Sequence, residues 1–221
     1  AWAYGFPELS PEHERRIRES CRVAVPGCHA SGFISLVYPL IAGGFVEKDY
    51  PFVCHSVTGY SGGGKKMIAE YESGERSAEY DSPRQYALGQ EHKHLPEMQH
   101  VCGLAHKPVF NPIVADFYSG MCVSVPIHTR LMRKKADASQ LKRYFEEYYA
   151  SHNFVRVAEG RLSYLPANEL SGTNGVKIYV DGNEDRILLA SVFDNLGKGA
   201  SGAAVQCMNI MLGLDERTSL V

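Results

Sequence analysis

Apolar and polar positions follow two spacings along the chain, and breaks between them mark the elements. Ser10-Pro11-Glu12 has the form of a helix start: a capping hydroxyl, proline at the first helical position and an acid in the first turn. The helix runs to about residue 20. Residues 22–25 are a short apolar strand that Pro26-Gly27 breaks, and the apolar run over 30–41 predicts a buried helix. A strand over 52–57 leads into the glycine-rich turn 59–64 and a helix over 65–72. Residues 73–83 are polar and turn-rich, hence loop. Leu95-Pro96-Glu97 opens a further helix, to about residue 102.

Residues 109–115 and 121–127 alternate or run apolar as two paired strands would, with Ser119-Gly120 between them. Leu141, Phe145 and Tyr148, spaced by four and three, define one face of a helix over 137–149. Strands over 154–157, 176–180 and 187–192 follow, and a small-residue helix over 200–212 closes the chain. Clustered strands with helices between them, rather than a βαβ alternation, predict an α+β fold: a mixed, largely antiparallel sheet covered by helices.

Composition narrows the function. The 221 residues are 44% hydrophobic and 22% charged, with a formal net charge of −2, so nothing draws the chain to nucleic acid or an anionic membrane. The run Arg130, Arg133, Lys134, Lys135 reads as a solvated surface. The longest apolar stretch, 33–42, contains Ser35 and Tyr38 and falls short of the ~20 residues that span a bilayer. The chain opens on Ala1 without a basic-then-apolar leader, as an internal cut or processed start would. Six cysteines without a C-x-x-C pair read as reduced thiols of a cytoplasmic protein, most of them buried, and no metal site is expected.

One cysteine stands apart. In Val23-Ala24-Val25-Pro26-Gly27-Cys28-His29-Ala30-Ser31-Gly32, Cys28 sits at a turn between a strand and a helix. The positive end of a helix dipole lowers a thiol pKa, and the free N–H groups there can hold an oxyanion. On spacing alone, an inert buried cysteine fits equally well.

Pro26-Gly27-Cys28 followed by small residues and an apolar helix resembles the active-site signature of the N-acetyl-γ-glutamyl-phosphate reductases. It departs at His29, where Phe or Tyr is typical, and at Ser31, where Thr is common. Three further blocks are similar to the family's, in the same order: Ser56 to Lys65, with its glycine turn; Tyr86 and His92-Lys93-His94-Leu95-Pro96-Glu97; and Asp194-Asn195-Leu196-Gly197-Lys198-Gly199-Ala200-Ser201-Gly202, continuing to Asn209. Ser119 stands where longer members carry arginine, as in the shorter subgroup.

The resemblance implies the catalytic domain of the glyceraldehyde-3-phosphate and aspartate-semialdehyde dehydrogenase superfamily. It implies reduction of an acyl phosphate by NADPH, through a Cys28 thioester, to an aldehyde of arginine biosynthesis. Cys28 and His92 are then catalytic, His92 accepting and returning a proton. Ser61, Gly62, Tyr86 and His94 lie on the substrate side, and Asn195, Lys198 and Gln206 face the NADP cofactor. Residues 1–193 form a catalytic and dimerisation domain in a homodimer or homotetramer. Residues 194–221 form a closing loop and helix that pack on a nucleotide domain. In the family that domain precedes the cysteine, where this chain has 27 residues, too few for a mononucleotide unit of roughly 30 or more. The turn 59–64 lacks G-x-G-x-x-G spacing, and the fingerprint is read as absent, so the chain alone is expected to be inactive with NADPH. The rival readings are a Cys-His acyl transferase or hydrolase and a non-catalytic assembly domain.

Overall fold

A computed structural model of the chain describes residues 2–160 and 163–220; Ala1 lies outside them. The elements are β1 (Ala3–Tyr4), α1 (Pro11–Glu19), β2 (Val23–Ala24), α2 (Cys28–Ala42), β3 (Val53–Gly59), α3 (Gly64–Tyr71) and β4 (Arg84–Gln85). Then come α4 (His94–Cys102), β5 (Val109–Ala115), β6 (Met121–His128), α5 (Ala138–Tyr149), β7 (Val155–Val157), β8 (Val176–Gly182), β9 (Arg186–Phe193) and α6 (Gly202–Met211). A five-residue π-helical turn, Gly197–Ser201, leads into α6.

Capping residues begin two of the helices where the sequence predicts. Ser10 Oγ accepts the His13 N–H at the head of α1. Asp137 accepts from the Gln140 N–H at 2.8 Å, while the Gln140 side chain accepts from the Asp137 N–H at 2.9 Å, a reciprocal box at the head of α5. The third buried position on α5 is Tyr149; Tyr148 is half-buried and donates to the Leu9 carbonyl.

Seven strands form one sheet in the order β4-β5-β3-β6-β9-β8-β7. Four neighbouring pairs are antiparallel, and β3–β5 and β7–β8 are parallel, which is the mixed, largely antiparallel sheet expected. The strand expected over 22–25 lies outside it: β2 pairs in parallel with β1. That pair joins α1 and α6 around Ala3, Ile17, Cys207 and Ile210.

The pairing expected of β5 and β6 does not occur. β3 lies between them, parallel to β5 and antiparallel to β6. The link 116–120 therefore crosses the end of β3, spanning two strand spacings of about 4.8 Å. It is fastened there by Gly59 N–H to Gly120 O, Tyr60 N–H to Phe117 O and Ser61 N–H to Tyr118 O, at 2.9–3.0 Å. A Cβ on Gly59 would sit 2.5 Å from the Tyr118 carbonyl oxygen, so the crossing requires glycine.

Met121, Val123, Val125 and Ile127 of β6 and Ile187, Leu189 and Phe193 of β9 enter the main core with Phe33, Leu36 and Leu40 of α2. Each such side chain contributes about 1.5–3 kcal/mol on burial. The opposite face carries a smaller cluster around Cys122, Tyr179, Ala190 and Val192. On β3 the buried positions change character along the strand, from Cys54 to Ser56 to Thr58. The polar end of β3 meets the start of α2, and the candidate site lies there.

Candidate active site

Gly27 is the last extended residue before α2, at φ −72° and ψ 144°. The first helical bond runs from Ser31 N–H to Gly27 O at 2.8 Å, which leaves the N–H groups of Cys28, His29 and Ala30 without helical partners. Glu97 of α4 holds the turn: its Oε1 accepts from the Gly27 N–H at 3.0 Å and from the Tyr4 hydroxyl at 2.8 Å. A Cβ on Gly27 would overlap the His94 ring, and one on Gly199, in the π turn, would sit 3.0 Å from Cys28 Cβ. Both glycines therefore serve close approach.

Cys28 opens on a cavity of about 530 Å³. Ser61, Gly62, Tyr86, His92, His94 and Asn195 line it as well, so seven of the nine expected site residues converge. Lys93 is the cation among the lining residues. His29, treated in the sequence only as a departure from a pattern, joins them. Its ring lies 5.5 Å from that of His92 and 5.6 Å from that of His94, which are 4.7 Å from each other. The only signal for it was a polar ring next to the cysteine in place of an apolar one.

Burial governs the charges here. It pushes the Cys28 thiol up, against the downward pull of the His29 N–H, the Lys93 ammonium and its own N–H. The lowered thiol pKa expected at a helix start is thus not found, because desolvation outweighs the N–H groups of the first turn and Lys93. Burial, then His92 and Lys93, bring His94 down to about 4. His29 is brought down to about 3 by burial, His94, His92 and Lys93. Burial and Lys93 also lower His92. His92 Nδ1 accepts the His94 backbone N–H at 3.2 Å, so the neutral ring carries its proton on Nε2 and is set up as a donor. Accepting a proton, one of the roles expected of His92, would set two N–H groups against each other; as a neutral ring it offers Nε2–H as a hydrogen-bond donor.

The expected cofactor residues behave differently. Lys198 is 3% exposed and Gln206 0%, and neither lines the cavity. Lys198 Nζ lies 2.6 Å from Glu8 Oε1 and also donates to Gln206 Oε1; Gln206 Nε2 donates to Glu8 at 2.9 Å and to Glu216 at 2.7 Å. A partner at the far end of the chain, invisible to local reading, takes them inside. Asn195 does line the cavity, but its amide donates to Ser61 Oγ at 2.9 Å and accepts from the Gly120 N–H at 2.7 Å.

The G-x-G-x-x-G spacing read as absent is in fact present, as Gly197-Lys198-Gly199-Ala200-Ser201-Gly202 between β9 and α6. These glycines serve packing: Cβ atoms on Gly197 and Gly202 would overlap Thr173 O and Asn174 Oδ1, and Gly199 abuts Cys28. The spacing does not make a phosphate-binding turn here.

The family model described as semialdehyde dehydrogenase, dimerisation domain, matches residues 28–195. Aspartate semialdehyde dehydrogenase II from Vibrio cholerae superposes with a TM-score of 0.72 over 96% of this chain and 68% of its own, at 18% identity. The N-acetyl-gamma-glutamyl-phosphate reductase of Burkholderia cenocepacia is 40% identical over 96% of this chain and 70% of its own length. N-acetyl-gamma-glutamyl-phosphate reductase 2 of Nostoc sp. is 40% identical over 99% and 72%. The chain belongs to the N-acetyl-gamma-glutamyl-phosphate reductase family.

Proposed function

We propose that the chain carries the acyl-transfer centre of an NADP-dependent reductase that converts N-acetyl-γ-glutamyl phosphate to N-acetylglutamate semialdehyde, in arginine biosynthesis. The observation that carries this is the Cys28 thiol at the open end of α2, sharing one cavity with His92 and Lys93. Lys93 offers the phosphate its charge and draws the substrate in. Cys28 Sγ attacks the acyl carbon, the C–O bond to phosphate breaks, the thiol proton leaves on the departing phosphate, and a thioester remains on Cys28. The N–H groups of Cys28, His29 and Ala30 face the oxyanion that forms on the way.

NADPH, when bound, supplies the hydride that reduces this thioester. His92 Nε2–H donates a hydrogen bond to the oxyanion of the hemithioacetal, as it does to the tetrahedral oxyanion of acyl transfer, and the hemithioacetal collapses to aldehyde and Cys28 thiolate, which regains its proton from solvent. Of the residues expected to hold the cofactor, Lys198 and Gln206 do not fit, since their polar atoms are spent inside the protein. Asn195 fits only as a brace for Ser61 and the 116–120 crossing. The cavity offers a flat ring the side chains of Met67 and Leu196 and the backbone of Gly62 and Gly63.

Residues 28–195 would form the homo-oligomer contact, as the matched domain's description implies. Within the segment 194–220, α6 packs on α1 and β1, and the outer side of the segment would meet a nucleotide domain. Without such a domain, the chain would reduce little or no substrate with NADPH. The deciding test is mass spectrometry after mixing the chain with N-acetyl-γ-glutamyl phosphate. One acyl group on Cys28, with one phosphate released and neither in Cys28→Ser, is the expected result. Acylation spread over the other thiols, or no phosphate release, overturns the reading.

A further inference from the structure

The side chain of His29 has no part in the chemistry above, yet it is tied at both ring nitrogens. Its Nδ1 lies 2.6 Å from Ser56 Oγ and its Nε2 2.7 Å from the Tyr86 hydroxyl. We infer that His29 is a positioning residue: through Tyr86 it turns the phenolic proton into the cavity, toward the oxygen of an acyl group on Cys28. The inference rests on the acyl-enzyme reading.

A neutral imidazole has one donor and one acceptor nitrogen, and His29, brought down to about 3, is neutral across the working range. Two arrangements follow. If Nδ1–H donates to Ser56, the Tyr86 hydroxyl donates to Nε2, and the Ser56 proton is left over. Ser56 is 0% exposed and has no other side-chain partner among the described residues, so that proton is buried and unsatisfied. If Ser56 donates to Nδ1 instead, Nε2–H donates to the Tyr86 oxygen and the free proton is that of Tyr86. Tyr86 is half-buried and lines the cavity with Cys28, where that proton meets solvent or substrate. The second arrangement leaves no buried donor unpaired and is the one that holds. Burial and the nearby Cys28 push the phenol above its usual range, so it stays protonated and serves as a donor. The chain of bonds runs from Ser56 through His29 and Tyr86 to the cavity.

Two measurements test this. Long-range 15N–1H spectra of the wild-type chain should show His29 as the Nε2–H tautomer, unchanged between about pH 5 and 8; the Nδ1–H tautomer overturns the inference. The second follows acyl transfer with hydroxylamine, whose nitrogen attacks the thioester carbon and releases the thiol and a hydroxamate. Tyr86→Phe should slow turnover about 100-fold. His29→Phe, which keeps an aromatic ring, should slow it about tenfold with little change in KM. The double variant should match Tyr86→Phe within about twofold. Wild-type turnover in His29→Phe, or losses that multiply in the double variant, overturns the inference. Should His29→Phe not fold, Ser56→Ala removes the tautomer-setting donor and should slow turnover in the same direction. If the wild-type chain forms no hydroxamate, the acyl-enzyme reading fails, while the tautomer still decides the bonding chain.

Discussion

Cys28 and Lys198 lie on either side of Gly199, and both are walled in by polar groups, but the two regions deal with burial in opposite ways. Around Cys28 the rings of His29, His92 and His94 are driven to their neutral forms, and His94 Nδ1 has no hydrogen-bond partner among the described residues. Around Lys198 the charge is kept and matched, by Glu8 at 2.6 Å with Gln206 and Glu216 completing the cluster. A buried ionisable group either gives up its charge or pairs it. Neutral rings beside a cavity, with a nitrogen left to His92 and to His94, can offer hydrogen bonds to a substrate. Groups bonded to one another away from the cavity, with Glu8 Oε2 the one oxygen of the Glu8–Lys198–Gln206 set left without a partner among the described residues, hold the chain together, here α6 and the π turn to the segment preceding α1.

The largest effect should come from breaking the closed region. Lys198→Met leaves Glu8 buried without its ammonium and should cost about 3–5 kcal/mol in urea unfolding. A cost below about 1 kcal/mol would mean that Glu8 finds another partner and that the pairing is not what closes this region.

In the open region the expected loss is in chemistry and not in stability. His92→Gln should slow acyl transfer from Cys28 about 100-fold, with a melting temperature close to wild type. A stability loss of several kcal/mol would place His92 in the closed category.

Acid unfolding should separate the two regions by pH window. Folded His94 and His29 take protons near 4 and 3, against a usual 6.5, so between these values the unfolded chain binds more protons. Their contribution is complete above about pH 6.5 and falls with pH by up to about 1.4 kcal/mol per unit for each ring. For Glu8, burial pushes the carboxyl up, but Lys198 and the bonds from Gln206 and Lys198 outweigh it and bring it below 4.5. Its contribution is therefore lost only below that value. His29→Phe should flatten the upper window and leave the lower one; urea titrations at stepped pH read both.

The smallest effect sharpens the border between the regions. Ser61→Ala removes the acceptor of the Asn195 amide and should cost about 1 kcal/mol, with a modest rise in substrate KM.

Much of the fold was legible because caps and periodicity are local. Ser10 and Asp137 start their helices, and Leu141 and Phe145 face the core as their spacing predicts. The Cys28 turn was legible for the same reason, and the family motifs added His92, Tyr86 and Ser61. What local reading missed were partnerships between distant residues. Lys198 looked like a ligand-facing lysine because Glu8 lies 190 positions away. His29 looked like a replaced aromatic because its partners are distant in sequence, Ser56 on β3 and Tyr86 just after β4. The thiol pKa was misjudged because a dipole is visible in a helix start, whereas burial is not.

The position of β3 between β5 and β6 bears on how the chain reaches its fold. β5 and β6 are near neighbours in sequence, run in opposite directions and are joined by a five-residue link, so they can zip together within microseconds. The native sheet instead requires β3, some fifty residues upstream of both, to occupy the gap. A fast local contact thus competes with a slower distant one, and a chain that zips first must unzip before β3 can enter. The Gly59 crossing, which locks the order once formed, also makes the last step of sheet assembly the slow one.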